Sequence, residues 1–148
     1  MNDSFSDGGN PPAVSYNIGR LDRAVSRRLA EALKPVGVSL PQFTMLSHLE
    51  RRGATANAAL AARSFISPQA ANQIVNTMMA HGWVAKRGAP NHGRMVLIDL
   101  TDEGREVYRR CMSAAEECEE KMLRGLTPES VMMFKATVQR LLDNLRGV

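Results

Sequence analysis

Four amide side chains, Gln69, Asn72, Gln73 and Asn76, lie within Ser67–Ala80, a stretch with no charged residue. A primary amide presents a donor and an acceptor side by side, and that pair matches the N6/N7 edge of adenine in a DNA major groove. At about 3.6 residues per turn the amides share one helix face, while Ala71, Ile74, Val75 and Met78 share the opposite one. The surroundings are cationic. From Arg51 to Ile98 the chain carries Arg51, Arg52, Arg63, Lys86, Arg87 and Arg94 and no Asp or Glu, whereas Asp102–Glu129 holds eight acidic residues against five basic ones. One purely cationic segment in a chain of formal net charge +4 implies a polyanionic partner. Phosphate contacts supply affinity and base-edge contacts supply discrimination, so a reading helix can be neutral where its flanks are basic. The candidate base-reading set is therefore Ser67, Gln69, Asn72, Gln73, Asn76 and Thr77. Arg63, Lys86, Arg87, His92 and Arg94 form the candidate backbone-binding set.

These side chains need a scaffold, and the hydrophobic spacing supplies one. Ile18, Leu21, Val25, Leu29 and Leu33 keep helical period over 16–34, and Pro35 and Gly37 end that run. Ser39 can cap a second helix with Pro41 in its first turn and Phe43, Met45, Leu46 and Leu49 as its stripe, ending at Gly53. Thr55 or Asn57 begins a short third helix to Arg63. After a turn at Phe65-Ile66, Ser67 caps the amide-bearing helix with Pro68 at its first position. A short helix, a tight turn and a second helix with a polar outer face form a helix-turn-helix. Beyond Gly82 the period changes to two, predicting strands over 83–86 and 95–100 joined by a basic loop, RGAPNHGR. That hairpin is placed to lie along the DNA backbone or enter a minor groove. Thr101 starts a long helix to about Arg124. Thr127-Pro128-Glu129 starts the last, striped by Val131, Phe134, Val138, Leu141, Leu142 and Leu145.

Composition excludes several other classes. The first 13 residues have no Lys or Arg and no apolar run, which argues against a secretory leader and for a disordered tail over 1–15. No stretch approaches the roughly 20 apolar residues of a membrane span, and two cysteines fit a reducing cytoplasm. His48, His81 and His92 show no metal-ligand spacing with each other or with Cys111 and Cys118. No nucleophile–base pair, glycine-rich phosphate loop or paired carboxylates stand out, so the expectation is a protein that is not an enzyme and needs no cofactor.

The stretches VSLPQFTMLSHLERRG, AALAARSFIS, QIVNTMMAHGWVAKRGAP and VLIDLTDEGREV follow one another at the spacing of MarR-type transcriptional regulators, which the chain resembles over about residues 16–146. The resemblance implies a mainly α fold with a small β-hairpin wing. It also implies a homodimer built by the first and last two helices, a pseudo-palindromic double-stranded DNA operator, and release by a small molecule or an oxidant. Two departures stand out. The family's wing usually carries Asp-x-Arg, and here the matching triplet is His92-Gly93-Arg94. The peroxide-sensing branch keeps a reactive cysteine near the start of its first helix, and 16–34 has none.

The expected division is therefore a tail (1–15), dimerisation helices (16–37 and 102–148) and a winged helix-turn-helix (38–101). Met45, His48 and Cys111 are the expected lining of an effector pocket: methionine adapts to an apolar ring, and histidine bonds a phenol or carboxylate. Two rivals stay open. One is a redox switch through Cys111 and Cys118, should an arginine such as Arg110 lower a thiol pKa. The other is an adaptor whose winged domain binds another protein.

Overall fold

Hydroxyl caps set most of the helix starts in the computed structural model, which describes residues 13–147 and, of His92, only the backbone. Helix α1 (Ala13–Leu33) runs into one 3-10 turn over Lys34–Val36, where Pro35 ends it and Gly37 closes the turn at φ 78°. Ser39 then makes a reciprocal capping box for α2 (Leu40–Arg52). Its hydroxyl oxygen accepts from the Gln42 amide at 3.3 Å, and its own amide donates to the Gln42 side chain at 2.9 Å. Ser67, Thr101 and Thr127 cap α4 (Pro68–Ala80), α5 (Asp102–Met122) and α6 (Pro128–Arg146) by the hydroxyl half of that arrangement alone, each oxygen accepting from the amide three residues on.

Three expectations need correction. Of the two expected starts of the third helix, Asn57 is the one observed, and Thr55 does not begin a helix. With Ala56 it forms strand β1 (Thr55–Ala56), pairing antiparallel with Ile98 and Leu97, and α3 (Asn57–Arg63) starts after it without a side-chain cap. The hairpin is longer than alternation suggested. Strands β2 (Val84–Ala89) and β3 (His92–Leu100) leave only residues 90–91 as the turn, because an irregularity between Gly88 and Ala89 absorbs the register change. The sheet order is β1-β3-β2. Finally, residues 13–15 are helical, so the expected tail over 1–15 is shorter by at least those three; residues 1–12 lie outside the described residues.

One core joins the winged part to α5. Leu33, Val38, Met45, Leu46, Leu49, Leu60, Ala71, Val75, Met78, Trp83, Ile98, Leu100, Val107 and Cys111 are buried together. Burial at Ala71, Val75 and Met78 is the expected apolar stripe of α4, docked inward. A joint then ties the exit of α4 to the entry of α5. The Thr101 hydroxyl donates to the Gly82 carbonyl at 2.6 Å, its amide donates to the Trp83 carbonyl at 3.0 Å, and its oxygen accepts from Gly104 at 3.0 Å. Helix α6 differs from the rest. It has no buried residue, and Met132, Met133, Phe134, Val138, Leu142 and Leu145 are all exposed on it.

Candidate nucleic-acid interface

Helix α4 presents its polar face because its apolar face is fully committed to the core. Gln69, Asn72, Gln73, Asn76 and Thr77 are all exposed, and their positions repeat at the spacing that keeps side chains on one side of a helix. The two hydroxyls differ from the amides. Ser67 Oγ accepts from the Ala70 amide at 3.1 Å as the cap, which leaves its proton to donate outward. Thr77 donates to the Gln73 carbonyl at 3.1 Å, so its hydroxyl hydrogen is spent inside the helix and its outward face is an acceptor and a methyl. The reading surface is thus four free amides flanked by two partly engaged hydroxyls.

The helix is held by its predecessor. Asn57 Nδ2 donates to the Pro68 carbonyl at 3.2 Å, tying the start of α3 to the first turn of α4. Between the two helices Ser64, Phe65 and Ile66 donate back to Leu60, Ala62 and Ala61, and Ile66 packs on the core. At the far end His81 stacks on Trp83, ring centroids 4.4 Å apart and 14° from parallel, where the chain leaves α4 for the wing.

The cations stand on the elements that precede and follow α4. Lys86, Arg87 and Arg94 stand exposed on β2 and β3, and Arg63 is half-buried at the end of α3. His92 opens β3, but its side chain lies outside the described residues. Arg87 is not a free cation. Its guanidinium lies 3.4 Å from Asp99 across the hairpin, a diagonal cross-strand pair since Arg87 stands opposite Leu97. Sequence reading missed this pair. Asp99 falls one residue beyond the acid-free segment, and only the antiparallel register brings it back to β2. The acid absent from the wing tip therefore has a counterpart at the wing's middle, acting on Arg87 rather than on Arg94.

Of the expected effector residues, Met45 and Cys111 are brought together in the core and not on an open surface. Met45 and Cys111 are fully buried core side chains with no accessible surface, filled against their neighbours by the close packing of an interior. His48 is half-buried, and its pKa is lowered by burial and by Arg51, Arg63 and Arg52, although a backbone hydrogen bond at Arg63 opposes this. Helices α2 and α5 meet beside them through a Phe43–Tyr108 stack at 6.1 Å and a Glu50–Arg105 pair at 3.9 Å. The redox expectation for Cys111 is also corrected. Arg110 does lower its pKa, but burial outweighs it and pushes the thiol up to about 11, which keeps it protonated and unreactive at neutral pH. Cys111 and Cys118 lie seven residues apart on α5, about 10 Å along the helix, too far for a disulfide within the chain.

Among the described residues no helix is long and apolar enough to cross a membrane, and no group of His, Cys, Asp and Glu is placed to hold a metal ion.

A family model described as "MarR family" matches residues 36–95, the winged part. The chain is 27% identical over 128 residues to the HTH-type transcriptional repressor Rv2887 of Mycobacterium tuberculosis, covering 86% of this chain and 92% of that one. The crystal structure of that protein in complex with DNA superposes with a TM-score of 0.74 at 26% identity, over 90% of this chain and 98% of that one. The fold is also shared with CouR from Rhodococcus jostii bound to p-coumaroyl-CoA, with a TM-score of 0.78 at 19% identity, over 88% of this chain and 92% of that one.

Proposed function

Since the chain belongs to the MarR family of DNA-binding transcriptional regulators, we propose that it acts as a homodimeric repressor that reads a pseudo-palindromic operator with α4 and is released by a small apolar or aromatic ligand. The observation that carries the DNA part is the exposed neutral face of α4. Gln69, Asn72, Gln73 and Asn76 are turned outward beside a cationic wing, inside a segment with no acid before Asp99. In this reading Gln73 and Asn76 pair bidentately with base edges, while Arg63, Lys86, Arg87, His92 and Arg94 hold phosphates or enter the minor groove. Arg94 contributes more than Arg87, because Asp99 already draws on the Arg87 charge.

The dimer part rests on α1 and α6. Tyr16, Ile18 and Leu21 on α1, and Met133, Phe134, Val138, Leu142 and Leu145 on α6, are too many exposed apolar side chains for a free surface. A two-fold partner would cover them and set two copies of α4 about one DNA turn apart. The ligand part is supported by the meeting of α2 with α5, where the winged part joins the dimerisation helices. A molecule that wedged the Phe43–Tyr108 contact open would change the α4 spacing. It would release DNA to the extent that it binds the spread state more tightly. Met45 and Cys111 would be reached only after such opening, and His48 lies nearer the surface. The soluble cytoplasm is the compartment this function requires.

Light scattering and footprinting test the proposal. The expected result is a particle of two chains at micromolar concentration that protects two half-sites about 10 base pairs apart. A monomer, or protection of a single half-site, contradicts it. If the winged part instead served as a protein adaptor, no genomic fragment would be bound in preference to random DNA.

A further inference from the structure

The turn between α3 and α4 contains an aromatic residue that the fold does not use. Phe65 is the one non-glycine residue with positive φ among the described residues, at 55°. The residue is 96% exposed, more than any other large hydrophobic residue described. A bulky side chain in the left-handed region is disfavoured, and glycine would adopt that φ without penalty. The turn itself is fixed on either side. Ser64 donates to Leu60 at 3.0 Å, Ile66 donates to Ala61 at 3.1 Å, and the Ile66 side chain packs on the core. Phe65 is thereby pinned facing water, where its ring gains nothing from burial.

We propose that Phe65 is an apolar DNA-contact residue, its ring packing on a nucleotide at the edge of each half-site. This rests on the DNA-binding reading above and adds a contact that amides and arginines cannot make. Three observations favour DNA as the occupant. Phe65 stands two residues before Ser67, at the end of α4 whose first residues reach the base edges in a helix-turn-helix. It lies within the acid-free segment, so its neighbours along the chain carry no anion that would repel a phosphate backbone. DNA also offers apolar surface suited to such a ring: the C5-methyl of thymine in the major groove, and the carbons of deoxyribose. An exposed ring held by a pre-formed turn loses little conformational entropy when it is covered.

The test compares wild type, Phe65→Gly and Phe65→Leu in the full-length chain, on an operator selected from genomic fragments and on the same operator with uracil for thymine. Phe65→Gly is expected to melt at the same temperature as wild type or a few degrees higher, because the left-handed strain is relieved. It is expected to bind the operator roughly 30- to 100-fold more weakly, the effect of uncovering about half a phenyl group at each of two half-sites. The slope of affinity against salt should not change, since no counterion is involved. Phe65→Leu should retain most of the affinity. If uracil weakens wild type about 15-fold, one methyl's worth at each half-site, and leaves Phe65→Gly unaffected, the contact is to thymine. If uracil has no effect while Phe65→Gly still binds weakly, the contact is to deoxyribose. Equal operator affinity for Phe65→Gly and wild type overturns the proposal, as does a lowered melting temperature, which would make the ring a structural one. Failure of wild type to prefer any operator would instead overturn the DNA-binding reading on which this contact rests.

Discussion

Gly104→Ala should destabilise the protein although glycine-to-alanine changes in helices ordinarily stabilise by about 0.5–1 kcal/mol. Gly104 lies in the first turn of α5 and is buried. A Cβ there would collide with the Trp83 carbonyl oxygen and stand 2.9 Å from its carbon and 3.2 Å from Leu100 Cδ2. The obstruction is backbone, and that same oxygen accepts the Thr101 amide at 3.0 Å. Relief therefore means moving α5 away from the Gly82–Trp83 corner, which strains the Thr101 hydrogen bonds to both residues. Overpacking of this kind costs about 1–3 kcal/mol, and loss of one such bond costs about 1 kcal/mol more. Set against the helix gain, a net loss of about 1–3.5 kcal/mol follows. For a chain of this size that lowers Tm by roughly 2–14 °C, at about 2–4 °C per kcal/mol. Thermal unfolding followed by circular dichroism measures it, with Gly88→Ala as control, since nothing lies within 4 Å of a Cβ at Gly88. Operator binding by Gly104→Ala should also weaken at temperatures where it is still folded, because the joint sets α4 relative to α5. A Tm within a degree of wild type would refute the reasoning.

Other consequences are equally specific. Arg94→Ala should weaken binding to every sequence and flatten the salt slope by about two units, one for each protomer, whereas Gln73→Ala or Asn76→Ala should cost about 1–3 kcal/mol per half-site on the operator alone; equal losses on operator and random DNA would break this division of labour. His48 has a lowered pKa in the folded chain, so the unfolded chain binds its proton first on acidification. Its contribution is complete above the unfolded value of about 6.5, is lost as pH falls through the folded value, and should disappear from the stability–pH curve of His48→Gln. Cys111, with its thiol held at about 11, should resist alkylation in the native protein at pH 7 and react once the protein is unfolded; rapid native labelling would show that the core opens there. Leu142→Lys with Leu145→Lys on α6 should yield monomers in sedimentation, and an unchanged dimer would remove α6 from the interface.

Local chemistry was legible in the sequence, and non-local pairing was not. Ser39, Ser67, Thr101 and Thr127 could be assigned as helix starts because a hydroxyl cap acts within four residues of itself. The inward stripe of α4 followed from its period alone. Strand β1 escaped because two residues, Thr55 and Ala56, carry no alternation of their own and become a strand only by pairing with Ile98 and Leu97. The wing was read too short because Gly88 and Pro90 are turn formers, and only the register reveals that the bulge keeps Gly88 and Ala89 in the ladder. The Arg87–Asp99 pair was hidden for the same reason. Phe65 was read as turning the chain, but its left-handed φ at a position suited to glycine depends on how Ile66 is anchored. Met45 and Cys111 carry residue types that suit a pocket, yet the type of a side chain does not show whether its neighbours have already filled the space.

The most direct test of the account is operator affinity measured by fluorescence anisotropy between 50 and 200 mM salt, beside a scrambled duplex of equal length. With Arg63, Lys86 and Arg94 on each of two protomers engaging phosphates, affinity should fall by about 10³-fold across that range. At every salt concentration the operator should be bound at least about 10³-fold more tightly than the scrambled duplex. Binding that ignores salt, or that treats the two duplexes alike, would contradict the assignment of α4 and its basic flanks as a sequence-reading surface.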